Sequence, residues 1–291
     1  MKLFWKNSEN IDSEKWNECI YESGINLVYP QYWYLNIVAD KWGGIVNDDY
    51  SCVMPVVWNK KYGLKYAYRP FLVQQLGIYS KNREQNNSSL FVDFLKKKFV
   101  KINYNFNYLN NFRGEGIVQN TNYILNFAED YQSLRSRFSN NTKRNIAKAR
   151  KQNLQFIDNV NIDDFINFKI KNLTNKLTSH NFETLKKLFI EQRNNITILG
   201  VKSGEELVSA LLLLFYNKKF YYLAAATNEK GKQTGASFFL LDNFIQSQAA
   251  TSNFLDFEGS NIPGIARFFE SWGAEKQHYQ TLNYIRMLLM R

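Results

Sequence analysis

The chain has 291 residues, 45% hydrophobic and 16% aromatic, with four prolines and no Gly/Ser-rich tract, which excludes a disordered or fibrous protein and fits one large domain or two ordinary ones. Two cysteines, Cys19 and Cys52, and two histidines, His180 and His278, make neither a disulfide framework nor a zinc-ligand pattern, so no metal is expected. The N-terminus lacks the apolar run of a signal peptide, and no stretch approaches the roughly 20 apolar residues of a membrane span, so a cytoplasmic location is expected.

In chain order, a strand at Leu3–Trp5 leads to helices at Ser13–Glu22 and Gln31–Asp40. Strands at Gly44–Val46 and Ser51–Trp58 follow, then extended chain over Tyr66–Tyr79. A helix at Ser88–Phe99 and strands at Tyr104–Leu109 and Tyr123–Phe127 close the first half. The net charge of +11 is concentrated in the next segment, where Arg135, Arg137, Lys143, Arg144, Lys148, Arg150 and Lys151 occur with no acid between Tyr131 and Asn153. Such a cluster attracts phosphates of nucleic acid, nucleotide or lipid, and is equally what a solvated cationic face looks like. A continuous helix would align Arg137, Arg144, Lys148 and Lys151; alternatively Ser139-Asn140-Asn141 interrupts it and caps a new helix from Thr142.

Helices at Asp163–Asn175 and Phe182–Asn194 come next, then strands at Thr197–Val201, Leu207–Tyr216 and Phe220–Ala226. Ser203-Gly204-Glu205 and Asn217-Lys218 are the turns between these strands. Leu240, Leu241, Phe244 and Ile245 recur at helical spacing within Thr234–Ala250. A strand at Phe254–Phe257, a helix at Ile262–Trp272 and a strand at Gln277–Met287 end the chain. Strands begin at 44, 51 and 66 in the first half and at 197, 207 and 220 in the second, a near-constant offset. The expectation is two copies of one mixed α/β architecture, residues 1–128 and 129–291. The order is not a plain βαβ alternation, and no Gly-x-Gly-x-x-Gly sequence is present to bind a dinucleotide.

Two passages carry chemistry. Strand alternation puts Asp256 and Glu258 on one face, ahead of the corner Gly259-Ser260-Asn261. Glu258 is the candidate general base or substrate anchor, Ser260, Tyr222 and Tyr279 are candidate proton donors, and Asp256 reads as a structural carboxylate. The second passage, Lys232-Gln233-Thr234-Gly235-Ala236-Ser237, lies between a strand and a long amphipathic helix. Small residues there let main-chain N–H groups approach a phosphate, with the helix dipole favouring the charge; a plain turn before a helix uses the same residues.

This element order, together with Thr142–Arg150, Leu199–Ala210, Lys230–Ser237 and Asp256–Ala274, resembles the GNAT acyltransferase fold in tandem, as in Fem-type peptidyltransferases. The resemblance covers the second half well and the first by layout. It implies two tandem GNAT-like units, each a central mixed sheet flanked by helices. It also implies that Lys232, Gln233, Gly235, Ala236 and Ser237 hold the phosphates of a donor, acyl-CoA ahead of aminoacyl-tRNA. Arg144, Lys148 and Asn261 then contact substrate or phosphate, the acceptor is an amine on a small molecule or peptide, and tRNA is a potential partner. The chain departs from the family at Phe269, where many GNAT enzymes have a tyrosine acid, and at Phe269-Glu270, where Fem-type enzymes have Phe-Lys. The two functions expected are therefore an N-acyltransferase working by direct attack and, alternatively, a non-catalytic RNA-binding or scaffold protein that kept the fold.

Overall fold

The turn Asn217-Lys218 has both residues in the left-handed region, φ 45° and 64°, as a two-residue hairpin of the strand-matching twist requires. It joins the two longest strands of a meander whose middle member, with Leu211–Leu214 buried throughout, has the continuous apolar run of a strand covered on both faces. A computed structural model describes residues 1–82, 88–172 and 177–286. Its elements in order are β1 (Leu3–Asn7), α1 (Ser13–Glu22), α2 (Tyr32–Val38), β2 (Trp42–Asn47), β3 (Cys52–Lys61), β4 (Leu64–Ala67), β5 (Tyr79–Ser80), α3 (Ser88–Lys98), β6 (Lys101–Asn105), β7 (Ile117–Asn126), α4 (Tyr131–Ser136), α5 (Asn140–Arg150), β8 (Leu154–Ile157), α6 (Ile162–Lys171), α7 (Ser179–Glu191), β9 (Ile196–Ser203), β10 (Glu206–Tyr216), β11 (Lys219–Thr227), α8 (Glu229–Thr234), α9 (Ala236–Gln248), β12 (Phe254–Asp256), α10 (Pro263–Glu270) and β13 (Glu275–Ile285).

The chain forms two compact units, Met1–Asn120 with His278–Arg291, and Thr121–Gln277. In the first, β1 to β4 form an antiparallel meander, β6 runs parallel to β4, and the later residues of β13 pair antiparallel with β6. In the second, β8 to β11 form the meander, β12 runs parallel to β11, and the end of β7 pairs antiparallel with β12. Each unit is thus the same mixed sheet, and the helix connection between its parallel strands is α3 in one and α8–α9 in the other. The structure differs from the boundary expected at residue 128. The strand closing each half of the sequence pairs in the other unit, so the division falls after Asn120 and the chain returns to the first unit at His278.

The core of the second unit is one apolar cluster in which Leu240, Leu241, Phe244 and Ile245 belong to α9, which packs on β8, β9 and β10, with Phe244 meeting Phe220 of β11 edge-on. Ser139 caps α5, accepting from the Thr142 N–H, so the basic segment is two helices, with Arg137 ending the first and pairing with Glu129 at 3.2 Å. No helix among the described residues is long and apolar enough to cross a membrane.

One polar tie crosses this core. Asp242 on α9, 0% exposed, accepts from Tyr131 Oη at 2.5 Å and from Arg150 Nη2 at 2.7 Å. Burial, helped by that carboxylate, pushes the Tyr131 phenol up to about 12. Arg150→Met removes the charged donor from a dehydrated carboxylate and is expected to destabilise the protein by about 1–3 kcal/mol, with Arg150→Lys between the two, as urea denaturation would measure.

Candidate functional site

The site begins with a defect in pairing. Along β10 the register runs Leu212↔Ala224 and then Leu213↔Tyr222, leaving Leu223 as an extra residue, a β-bulge in β11. On the other edge β11 pairs with β12 over only Lys219–Tyr221 and Phe254–Asp256. Past that point Phe257 donates its N–H to Tyr123 O, while Glu258 and Gly259 take left-handed backbone, φ 56° and 57°. The chain after β12 turns away, and β11 from Tyr222 onward has no strand partner on that edge among the described residues. The Asn228 N–H to Val208 O bond fixes the parity: Ala224 and Ala226 face β10, so the Ala225 main chain faces the open edge. Its carbonyl accepts from Lys169 Nζ of α6 at 2.9 Å.

The floor of this opening is a buried charge set. Asp256, 0% exposed, accepts at Oδ1 from Asn122 Nδ2 and from the Glu258 N–H, both at 2.9 Å. Lys219, 7% exposed, lies with Nζ 3.9 Å from Asp256 Oδ2. Burial raises the Asp256 carboxyl and lowers the Lys219 ammonium, each opposed by the other's charge. The strand alternation expected to give Asp256 and Glu258 a shared face therefore stops at Asp256. The first carboxylate is spent holding the corner that presents the second. Ser260 Oγ accepts from the Ile262 N–H at 3.0 Å and Asn261 is exposed at the start of α10.

Beside the corner is an aromatic cluster. Phe269 of α10 stacks on Phe257 at 4.7 Å between centroids and meets Tyr222 edge-on at 5.7 Å. Phe269 cannot donate a proton, but the ring it touches is a phenol at the mouth of the opening, which burial holds above the ordinary tyrosine range. Tyr279 belongs to the first unit.

Residues 232–237 differ from a plain turn. Asn228 caps α8 by accepting from the Gly231 N–H at 2.8 Å, and the helix ends at Gly235, φ 76°. Lys232 and Gln233 thus lie exposed on a six-residue helix, Lys232 paired with Glu229 at 3.2 Å. Gly235 spends its N–H inside α8, and its carbonyl accepts from Phe238 and Phe239. Ala236 and Ser237 open the 13-residue α9, so their N–H groups have no partner within that helix. Ala236 is 0% exposed and Ser237 half-buried. Helix α5 packs here: a Cβ at Gly235 would lie 3.4 Å from Ala149 Cβ and from Asn145 O. Lys148 and Arg144, one residue before each contact, are exposed, whereas Lys143 donates to Ser136 O and Arg150 serves Asp242.

Lys169, Lys219 and Asn122 were not among the expected site residues. Lys219 follows a turn and looks like a solvated flank, and Asn122 acts on a residue 134 positions away. Lys169 carried a signal, since it falls in the Ile162, Phe165, Asn172 spacing of the buried face of α6. A groove of about 840 Å³ on the opposite flank of α6 is lined by Asp164, Lys171, Lys202 and Glu206.

No protein-family model matches the chain, and no curated protein matches it. Solved structures do. FemX aligns with a TM-score of 0.61 at 10% identity over 96% of this chain and 97% of that one. A tandem GNAT protein from the clavulanic acid biosynthesis pathway aligns at 0.57, 9% identity, over 97% and 98%. The C-terminal domain of a putative lysylphosphatidylglycerol synthetase from Agrobacterium fabrum aligns at 0.58, 8% identity, over 94% and 91%. The same mixed sheet in each unit and these alignments show a tandem GNAT-like fold with Fem-like structural relatives.

Proposed function

We propose that the chain is an N-acyltransferase whose second unit binds an activated acyl donor and passes the acyl group to an amine. The observation that carries this is the N-terminus of α9, which follows β11 through α8 and left-handed Gly235 and whose first N–H groups, Ala236 and Ser237, have no partner within the helix. A phosphate there meets two amides, the helix dipole and the neighbouring cations Lys148 and Arg144. The donor supplies an activated carbonyl, acyl-CoA in the first instance and aminoacyl-tRNA in the second.

Direct attack needs no covalent enzyme intermediate. The acceptor nitrogen bonds to the carbonyl carbon as Glu258 takes its proton; main-chain N–H groups on the open edge of β11 stabilise the oxyanion. Collapse breaks the bond to the leaving group, and Tyr222, with Ser260 as the second candidate, returns a proton to it. Positioning supplies most of the acceleration in such a reaction. The alternative, a fold retained for RNA binding or scaffolding, is favoured by Phe269 and by Lys232 being spent on Glu229.

Coenzyme A should bind in isothermal titration calorimetry, with hydrogen-exchange protection concentrated at residues 235–239. Salt-sensitive binding of tRNA without coenzyme A binding would move the donor assignment to aminoacyl-tRNA. If neither binds, the acyltransferase reading fails. Once an amine panel has yielded a product by mass spectrometry, Glu258→Gln is expected to lower kcat by about 10²–10⁴ with unchanged donor affinity, the size of a lost general base.

A further inference from the structure

Lys169 is a half-buried ammonium with no carboxylate in reach. Its Nζ reaches across the face of β11 to the Ala225 carbonyl, and among the described residues it makes no ion pair. Burial alone lowers its affinity for a proton. A part-buried lysine whose protein acceptor is a neutral carbonyl is stabilised by an anion that can reach it. Surface lysines of this chain do otherwise: Lys186, Lys230 and Lys276 each have a carboxylate within 3.2 Å.

Its position names the ligand's place. The parallel register stops at Tyr221↔Asp256 and the bulge delays β11 by one residue, so Ala225 lies along the open edge of β11, past its last pair with β12. Helix α6 presents Lys169 on the flank turned to that edge, while Asp164, Asn167 and Lys171 line the groove on its other flank. The donor's phosphates, at the α9 amides, lie beyond the end of β11. We propose that Lys169 is a substrate-binding cation that receives a carboxylate or phosphate of the acceptor, so that the amine to be acylated is carried by an acidic molecule. This rests on the acyltransferase reading for the word acceptor; the anion site itself does not need it.

The test uses the unmodified protein. Lysines are methylated with isotopic formaldehyde and cyanoborohydride, and each lysine peptide is quantified with and without inorganic phosphate or succinate, with exposed Lys60 and Lys101, outside both proposed sites, as references. An anion on Nζ holds the proton, and one pKa unit gained cuts the reactive amine about tenfold. Lys169 methylation should therefore fall by about tenfold relative to the references with at least one probe. Protection by phosphate alone assigns a phosphate-bearing acceptor, and protection by succinate alone a carboxylate-bearing one. If Lys169 follows the references with both probes, the proposal is wrong. Once the acceptor is known, Lys169→Gln should raise its KM with kcat little changed, and Lys169→Arg should recover most of the loss. Coenzyme A binding in the same samples separates the two ideas. Binding without Lys169 protection sinks this proposal alone, and protection without coenzyme A or tRNA binding sinks the acyltransferase reading alone.

Discussion

Gly231→Ala is expected to destabilise the second unit by about 2 kcal/mol, although alanine is the better helix former by about 1 kcal/mol. Gly231 lies inside α8, where a glycine is otherwise unfavourable. A Cβ there would be 2.2 Å from Val208 O and 2.8 Å from Thr227 Cγ2. The nearer atom is backbone in β10 and cannot rotate away, so α8 itself must lift. Lifting it breaks the Asn228 cap and moves Gly235, whose left-handed backbone sets the entry of α9. If α9 binds the donor as proposed, the substitution should also weaken coenzyme A binding by about tenfold or more, because the N-terminus of α9 is misplaced. Thermal melts and titration calorimetry on one preparation check both. Unchanged stability would mean that α8 adjusts freely, and the close approach would then explain nothing about the glycine.

Much of the fold was legible because it is local. The Asn217-Lys218 turn, the apolar run of β10 and the helix Ser13–Glu22 each announce themselves within a dozen residues. The repeat was legible as an offset in element order. What was not legible is non-local. The exchange of β7 and β13 between the units depends on pairings such as Leu255↔Leu125 and Leu282↔Tyr104, which no local pattern encodes. β8 was missed because, as a partly buried edge strand, Leu154–Ile157 has little apolar alternation. The site was legible in part for the same reason. Residues 235–237 could be located from their neighbours in sequence, but α8 was hidden by its glycine. Asp256 could be read as structural, but not its partners Asn122 and Lys219, which are distant in sequence.

That buried set gives the second large effect. Lys219→Met leaves the Asp256 carboxylate dehydrated without the ammonium 3.9 Å from Oδ2, which is expected to cost about 3–5 kcal/mol at neutral pH. The sign with pH follows from the raised carboxyl. Burial, opposed by Lys219, Asn122 and the Glu258 amide, makes the folded protein hold the Asp256 proton more tightly than the unfolded chain does. The associated stability is complete below the unfolded carboxyl's pKa and is lost as pH rises through the folded one. Removing Lys219 raises the folded value further, so the urea midpoint of Lys219→Met should fall more steeply than that of the wild type between mildly acidic and neutral buffer. Asp256→Asn on that background removes the charge and keeps an oxygen for Asn122 and for the Glu258 N–H. The double variant should regain stability and lose the extra slope. It should also keep the Glu258–Gly259 corner, whereas Asp256→Ala releases it and lowers kcat with donor affinity intact. If the slope survives in the double variant, another group is titrating and Asp256 is not what fixes that corner.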